Sequence, residues 1–144
     1  MPKPPQNVKV STPDTELQFA IQSKATGKSL FDNIILTTGI REVWYFGLQY
    51  VDIRNQEAWL QTDKKVGQQP IKKEQTLKFN FRFKIYPENV ADEVIQDVTL
   101  KLLYLQVKAA KFKIPEIFSK RNHFVFITTQ IVRNICVNFN LAFL

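Results

Sequence analysis

Only one histidine, His123, and one cysteine, Cys136, occur in the 144 residues. A Ser/His/Asp or Cys/His relay needs a base oriented beside its nucleophile, so any such device would have to be assembled around His123 alone. Zinc sites need three or four Cys and His ligands at set spacings, and these two residues cannot supply them. The carboxylates Asp92, Glu93 and Asp97 fall at spacings natural to the solvated face of a helix. The chain is therefore read as a non-enzyme, with no catalytic residues, no metal ligands and no cofactor.

Two other patterns carry charge toward phosphate. Gly27-Lys28-Ser29 resembles the end of a phosphate-binding P-loop, but that loop needs a glycine five positions before Gly27, where Gln22 stands. A helix start with a solvated lysine is the better reading. The second pattern is the basic stretch Lys64-Lys65, followed by Lys72-Lys73. The formal net charge is +7, yet 15 of the 20 basic and 12 of the 13 acidic residues lie up to Lys108. More than half of the excess thus belongs to the last 36 residues. That distribution, together with aromatics that alternate at strand period, argues against a nucleic-acid partner.

The elements around these residues are legible. Val8 and Val10, then Leu17, Phe19 and Ile21, alternate with polar neighbours about a Pro13-Asp14 turn, which predicts a hairpin. Leu30, Phe31, Ile34 and Ile35 fall at helical spacing between a Thr26 cap and a Gly39 stop. The run Trp44, Tyr45, Phe46 predicts a core strand over about Val43 to Tyr50, with a short strand at Ala58 to Leu60 and another through Leu77, Phe79, Phe81, Phe83 and Ile85. After Pro87 the period changes, and Val90, Val94, Val98, Leu102 and Leu105 predict one helix over Glu88 to Lys108. The order of elements suits an α+β domain with one helix across a mixed sheet.

Four stretches stand in a familiar order: MPKP at Met1 to Pro4, TGKSLFDNI at Thr26 to Ile34, REVWYFGLQY at Arg41 to Tyr50, and YPENVADEVIQDVTLKLLYLQVK at Tyr86 to Lys108. Together they resemble the N-terminal part of FERM domains of the ezrin, radixin, moesin and merlin family. The resemblance implies a ubiquitin-like β-grasp roll over residues 1–85, then over 86–108 the first helix of an all-α (acyl-CoA-binding-protein-like) lobe, which is truncated. Residues 109–144 form an unmatched tail. Its run from Phe124 to Leu144 is apolar, but Arg133, Asn134, Asn138 and Asn140 make membrane insertion costly, so it is read as an extended or weakly helical tail.

The function implied by the resemblance is that of a membrane–cytoskeleton linker: a protein- and lipid-interaction module in the cytoplasm, on the cytoplasmic side of the plasma membrane and at the cell cortex and adherens junctions. The implied partners are inner-leaflet phosphoinositides, with Lys64 and Lys65 as headgroup contacts, and membrane-protein tails and actin, whose binding parts the matched stretch lacks. The family's headgroup segment resembles a lysine, a variable residue, an asparagine and two lysines. Here Gln61 and Asp63 replace the first lysine and the asparagine, which weakens the implied site because a carboxylate repels phosphate. Asp63 and Ala58-Trp59-Leu60 look like merlin. Two alternatives stand beside the linker: a truncated isoform or gene-model product that folds the first lobe without the linker function, and a free-standing ubiquitin-like protein. The missing C-terminal Gly-Gly argues against a conjugated modifier. The lone Cys136 and a polar N-terminus fit a reducing cytosolic setting.

Overall fold

Alternation of apolar and polar residues gives the first two strands, β1 (Gln6–Ser11) and β2 (Glu16–Ile21), paired antiparallel with Val8 opposite Phe19 and Val10 opposite Leu17. Thr12 closes the turn, its hydroxyl accepting from the Thr15 N–H and donating to the Asp14 carboxylate. The computed structural model describes residues 3–113, which fall in two compact units, one ending at Ile85 and one beginning at Tyr86. The Phe124 to Leu144 run lies outside the described residues.

Helix α1 (Gly27–Thr38) begins and ends where local chemistry directs it. The Thr26 side chain accepts a hydrogen bond from the Ser29 N–H, satisfying one of the donors that a helix start leaves open. At the other end Gly39 adopts a left-handed conformation, φ 74°, and its N–H donates to the Ile35 carbonyl. A residue with a side chain is disfavoured in that conformation, which is why the helix stops at a glycine.

Strands β3 (Phe46–Val51), β4 (Glu57–Trp59) and β5 (Thr76–Phe83) complete a five-stranded sheet in the order β2-β1-β5-β3-β4. The central pair β1 and β5 is parallel and the other pairs are antiparallel. Because neighbours across a strand pair share a face, Val8, Val10, Leu48, Phe79, Phe81 and Phe83 all point to one side. Leu30 and Ile34 of α1 are fully buried, and the Phe31 ring lies 5.9 Å from that of Phe81. Phe46 stacks on Phe81 at 4.7 Å and meets Phe83 at 4.4 Å, so an aromatic cluster joins β3 to β5 beneath the helix. Tyr50 packs edge-on against Phe79. Burial, with the nearby Asp52 carboxylate adding to it, raises the Tyr50 phenol above its ordinary value of 10.0.

Two expectations are corrected. The strand over Val43 to Tyr50 begins only at Phe46, because Val43–Tyr45 forms a 3-10 turn. A strand would have placed Trp44 and Phe46 on one face; the three-residue period of the turn instead buries Tyr45 and leaves Trp44 60% exposed. Trp44 is thus not a core residue. The single helix over Glu88 to Lys108 is also two elements, a one-turn α2 (Val90–Glu93) and a long α3 (Asp97–Lys113). The break falls at the β-branched pair Val94-Ile95, which are poor helix formers, and Ile95 is 84% exposed. The buried face of α3 is therefore phased on Thr99, Leu102, Leu103 and Gln106, while Val94, Val98 and Leu105 of the expected stripe are only half-buried. Gln106 donates to the Tyr86 hydroxyl at 2.8 Å within this second unit.

Candidate functional site

The candidate site is the loop from Gln61 to Lys65, and three devices hold it against the start of α1. The first is the backbone: the Gly27 N–H donates to the Lys64 carbonyl and the Lys28 N–H to the Thr62 carbonyl, both at 2.9 Å. Thr26 and Lys65 form an isolated antiparallel bridge, and the Val66 N–H donates to Ala25. The second is space, since a Cβ at Gly27 would sit 2.2 Å from the Gln61 carbonyl oxygen. Only glycine admits the loop at this distance.

The third device is the buried side chain of Gln69, which ends a 3-10 turn at Val66–Gln68. Its Oε1 accepts from the Gln61 N–H and its Nε2 donates to the Gln61 carbonyl, each at 2.9 Å. A side-chain amide thereby completes both polar groups of a loop residue, as a strand partner would. The loop is fixed by its backbone while its side chains stay free, and Gln61, Thr62, Asp63, Lys64 and Lys65 are all exposed.

These contacts also dispose of the phosphate reading of Gly27-Lys28-Ser29. A P-loop aims its backbone N–H groups at an anion, whereas here those of Gly27 and Lys28 are bonded to loop carbonyls and that of Ser29 to Thr26. Glycine serves the close approach of the loop.

Lys64 and Lys65, adjacent in sequence, have different surroundings. Lys65 lines a cavity of about 510 Å³ that also takes in Lys3 and Lys73, while Lys64 does not border it. Lys72 turns to Asn55, whose side-chain oxygen accepts from its Nζ at 3.5 Å. Neither Lys64 nor Lys65 makes an ion pair among the described residues. Asp63 stands exposed beside them, so the local charge of the loop is smaller than its lysines suggest. Sequence reasoning missed Gln69 and the structural role of Gly27. The signal was faint in both cases, since a lone glutamine in a polar stretch has nothing to mark it as buried. Among the described residues no group of three His, Cys, Asp or Glu side chains is placed to hold a metal ion.

Residues 10–72 match the FERM N-terminal domain family. Over 104 residues the chain is 56% identical to Moesin/ezrin/radixin homolog 1 of Culex quinquefasciatus. The N-terminal part of this chain belongs to the FERM family. The same identity over the same length relates it to Moesin/ezrin/radixin homolog 1 of Aedes aegypti, and each match covers 72% of this chain but 18% of the relative. The chain thus spans less than a fifth of the curated relatives it matches. Its fold is similar to that in the crystal structure of the FERM and C-terminal domain complex of Drosophila Merlin, with a TM-score of 0.71 and 44% identity over 73% of this chain and 36% of that one. The mixed five-stranded sheet with α1 is the ubiquitin-like first lobe of a FERM domain.

Proposed function

We propose that this chain acts as a protein- and lipid-interaction module of the membrane–cytoskeleton linker type, working at the cytoplasmic face of the plasma membrane and the cell cortex rather than as a catalyst. Residues 1–85 serve as the ubiquitin-like lobe and 86–108 open the helical lobe. Lys64 and Lys65 contact phosphoinositide headgroups. The observation that carries this reading is the pinned loop: Gly27 and Gln69 hold its backbone while both ammonium groups remain in solvent, where they attract anionic lipid without first breaking an ion pair. The Merlin structure, a FERM domain in complex with a C-terminal domain, supports a protein-binding role alongside. No helix among the described residues is long and apolar enough to cross a membrane.

The test uses vesicles containing phosphatidylinositol bisphosphate and a protein of residues 1–85, so that the basic residues after Lys108 cannot contribute. Gln61→Lys with Asp63→Asn restores the family's residues and changes the loop by two charge units. Both side chains are exposed, so the fold is expected to persist. Binding is expected to rise roughly ten- to thirty-fold and to fall with added salt. Unchanged binding would remove the headgroup role from Lys64 and Lys65.

A further inference from the structure

The cavity beside Lys65 lies at the open end of the β-grasp core. The register sets Gln6 opposite Ile21 and Val8 opposite Leu77, so Ile21 and Leu77 are the last core-facing residues of β2 and the first of β5. Val66 and Ile71, from the segment that crosses below, complete an apolar lining; Ile21, Val66 and Ile71 are buried and Leu77 is half-buried. Around this lining stand Lys3 from the chain entering β1, Lys65 from the pinned loop, and Lys73 from the approach to β5. The acid at the rim is Glu74, and its carboxylate already pairs with Lys78 at 3.4 Å.

A hollow of about 510 Å³ with an apolar floor and three lysines among its lining residues has the size and chemistry of a small-ligand site. The cations lie at separate points of the chain, so their convergence comes from the fold. An anionic head is attracted to all three lysines at once, while an attached apolar portion covers the lining. A purely ionic ligand would leave the lining wet, and a purely apolar one would leave the lysines without a counterion.

The geometry points to a binding site for a small amphipathic anion, its phosphate or carboxylate head held by Lys3, Lys65 and Lys73 and its apolar portion seated on Ile21, Val66, Ile71 and Leu77. The site lies within the first lobe and shares Lys65 with the proposed headgroup loop, but it takes in Lys3 and Lys73 and does not use Lys64, which distinguishes the two. The ligand is either a soluble amphiphile or a membrane lipid that lends its head and the first part of its chain.

The test titrates the full-length chain with octyl phosphate below its micelle concentration and follows the backbone amide resonances of Ser23, Gly67 and Gln68, which line the cavity. Saturable shifts are expected, with inorganic phosphate binding at least about ten-fold more weakly because it lacks the apolar portion. Lys73→Glu is expected to weaken octyl phosphate by about ten-fold or more, Lys3→Glu by a comparable factor, and Lys64→Glu by less than about two-fold. The two cavity variants alter exposed side chains, so a folded spectrum is expected from each. Vesicles containing phosphatidic acid that shift the same amides identify the source as a lipid, and shifts with octyl phosphate alone identify a soluble amphiphile; either result upholds the site. Absence of saturable shifts, equal affinity for inorganic phosphate, or a Lys64→Glu effect as large as that of Lys73→Glu overturns it. Because Lys64→Glu separates the two sites, loss of vesicle binding in that variant with octyl phosphate binding intact would leave this inference standing alone.

Discussion

Phe81→Ala is expected to lower the stability of the first lobe by about 3–5 kcal/mol, whereas Trp44→Ala lowers it by less than about 1 kcal/mol. Both residues are large aromatics, and the difference follows from position. Phe81 is fully buried and touches Phe31 at 5.9 Å and Phe46 at 4.7 Å, so truncation opens a cavity between α1 and the centre of the sheet. Trp44 is 60% exposed on a 3-10 turn, and its truncation removes little buried surface. A loss of this size is a large share of the ~5–15 kcal/mol that holds an ordinary domain together. Urea unfolding followed by circular dichroism measures both. Equal midpoints for the two variants would mean that the 3-10 turn does not set the phase of the aromatic run.

Gly27→Ala is expected to cost at least about 2 kcal/mol, an unusual penalty for adding one methyl group to a helix. Alanine normally favours a helix over glycine, so intrinsic propensity predicts the opposite sign. The added Cβ would lie 2.2 Å from the Gln61 carbonyl oxygen and 3.0 Å from the Thr62 Cα, both parts of backbone that cannot rotate aside. The loop must then lift from α1, breaking the bonds from Gly27 to Lys64 and from Lys28 to Thr62. Gly67→Ala is the control, since the nearest atom to its new Cβ is a carbonyl oxygen at 4.0 Å. Thermal unfolding of the two variants should separate them clearly. If Gly27→Ala unfolds no earlier than Gly67→Ala, the loop is not held as described.

Much of the first lobe was legible because its signals are local. The Thr26 cap, the Gly39 stop and the period-two alternation through Phe79, Phe81 and Phe83 each act within a few residues of where they stand. Trp44 was misread because the aromatic run has the same composition whether it is straight or coiled. The turn that rotates Trp44 outward leaves the Tyr45 carbonyl to accept from the Lys84 and Ile85 N–H groups, a pairing 39 residues or more away in sequence. The break at Val94-Ile95 was hidden for a different reason: both residues fit an apolar stripe, and only their β-branching speaks against a helix. In the candidate site the lysines were evident, but their division between an open loop and a cavity was not. That division depends on Gln69 bonding to Gln61 and on the register that brings Lys3 and Lys73 beside Lys65.

Residues 1–85 are expected to fold as a self-contained FERM first lobe that presents its own basic loop. Heat unfolding of a protein of residues 1–85, followed at once by far-ultraviolet circular dichroism and by tryptophan fluorescence, tests it most directly. One sharp transition with the same midpoint by both probes is expected, because the sheet, α1 and the Trp59 strand share one core and small domains of this kind unfold as a unit. A broad transition, or midpoints that differ between the probes, would contradict it.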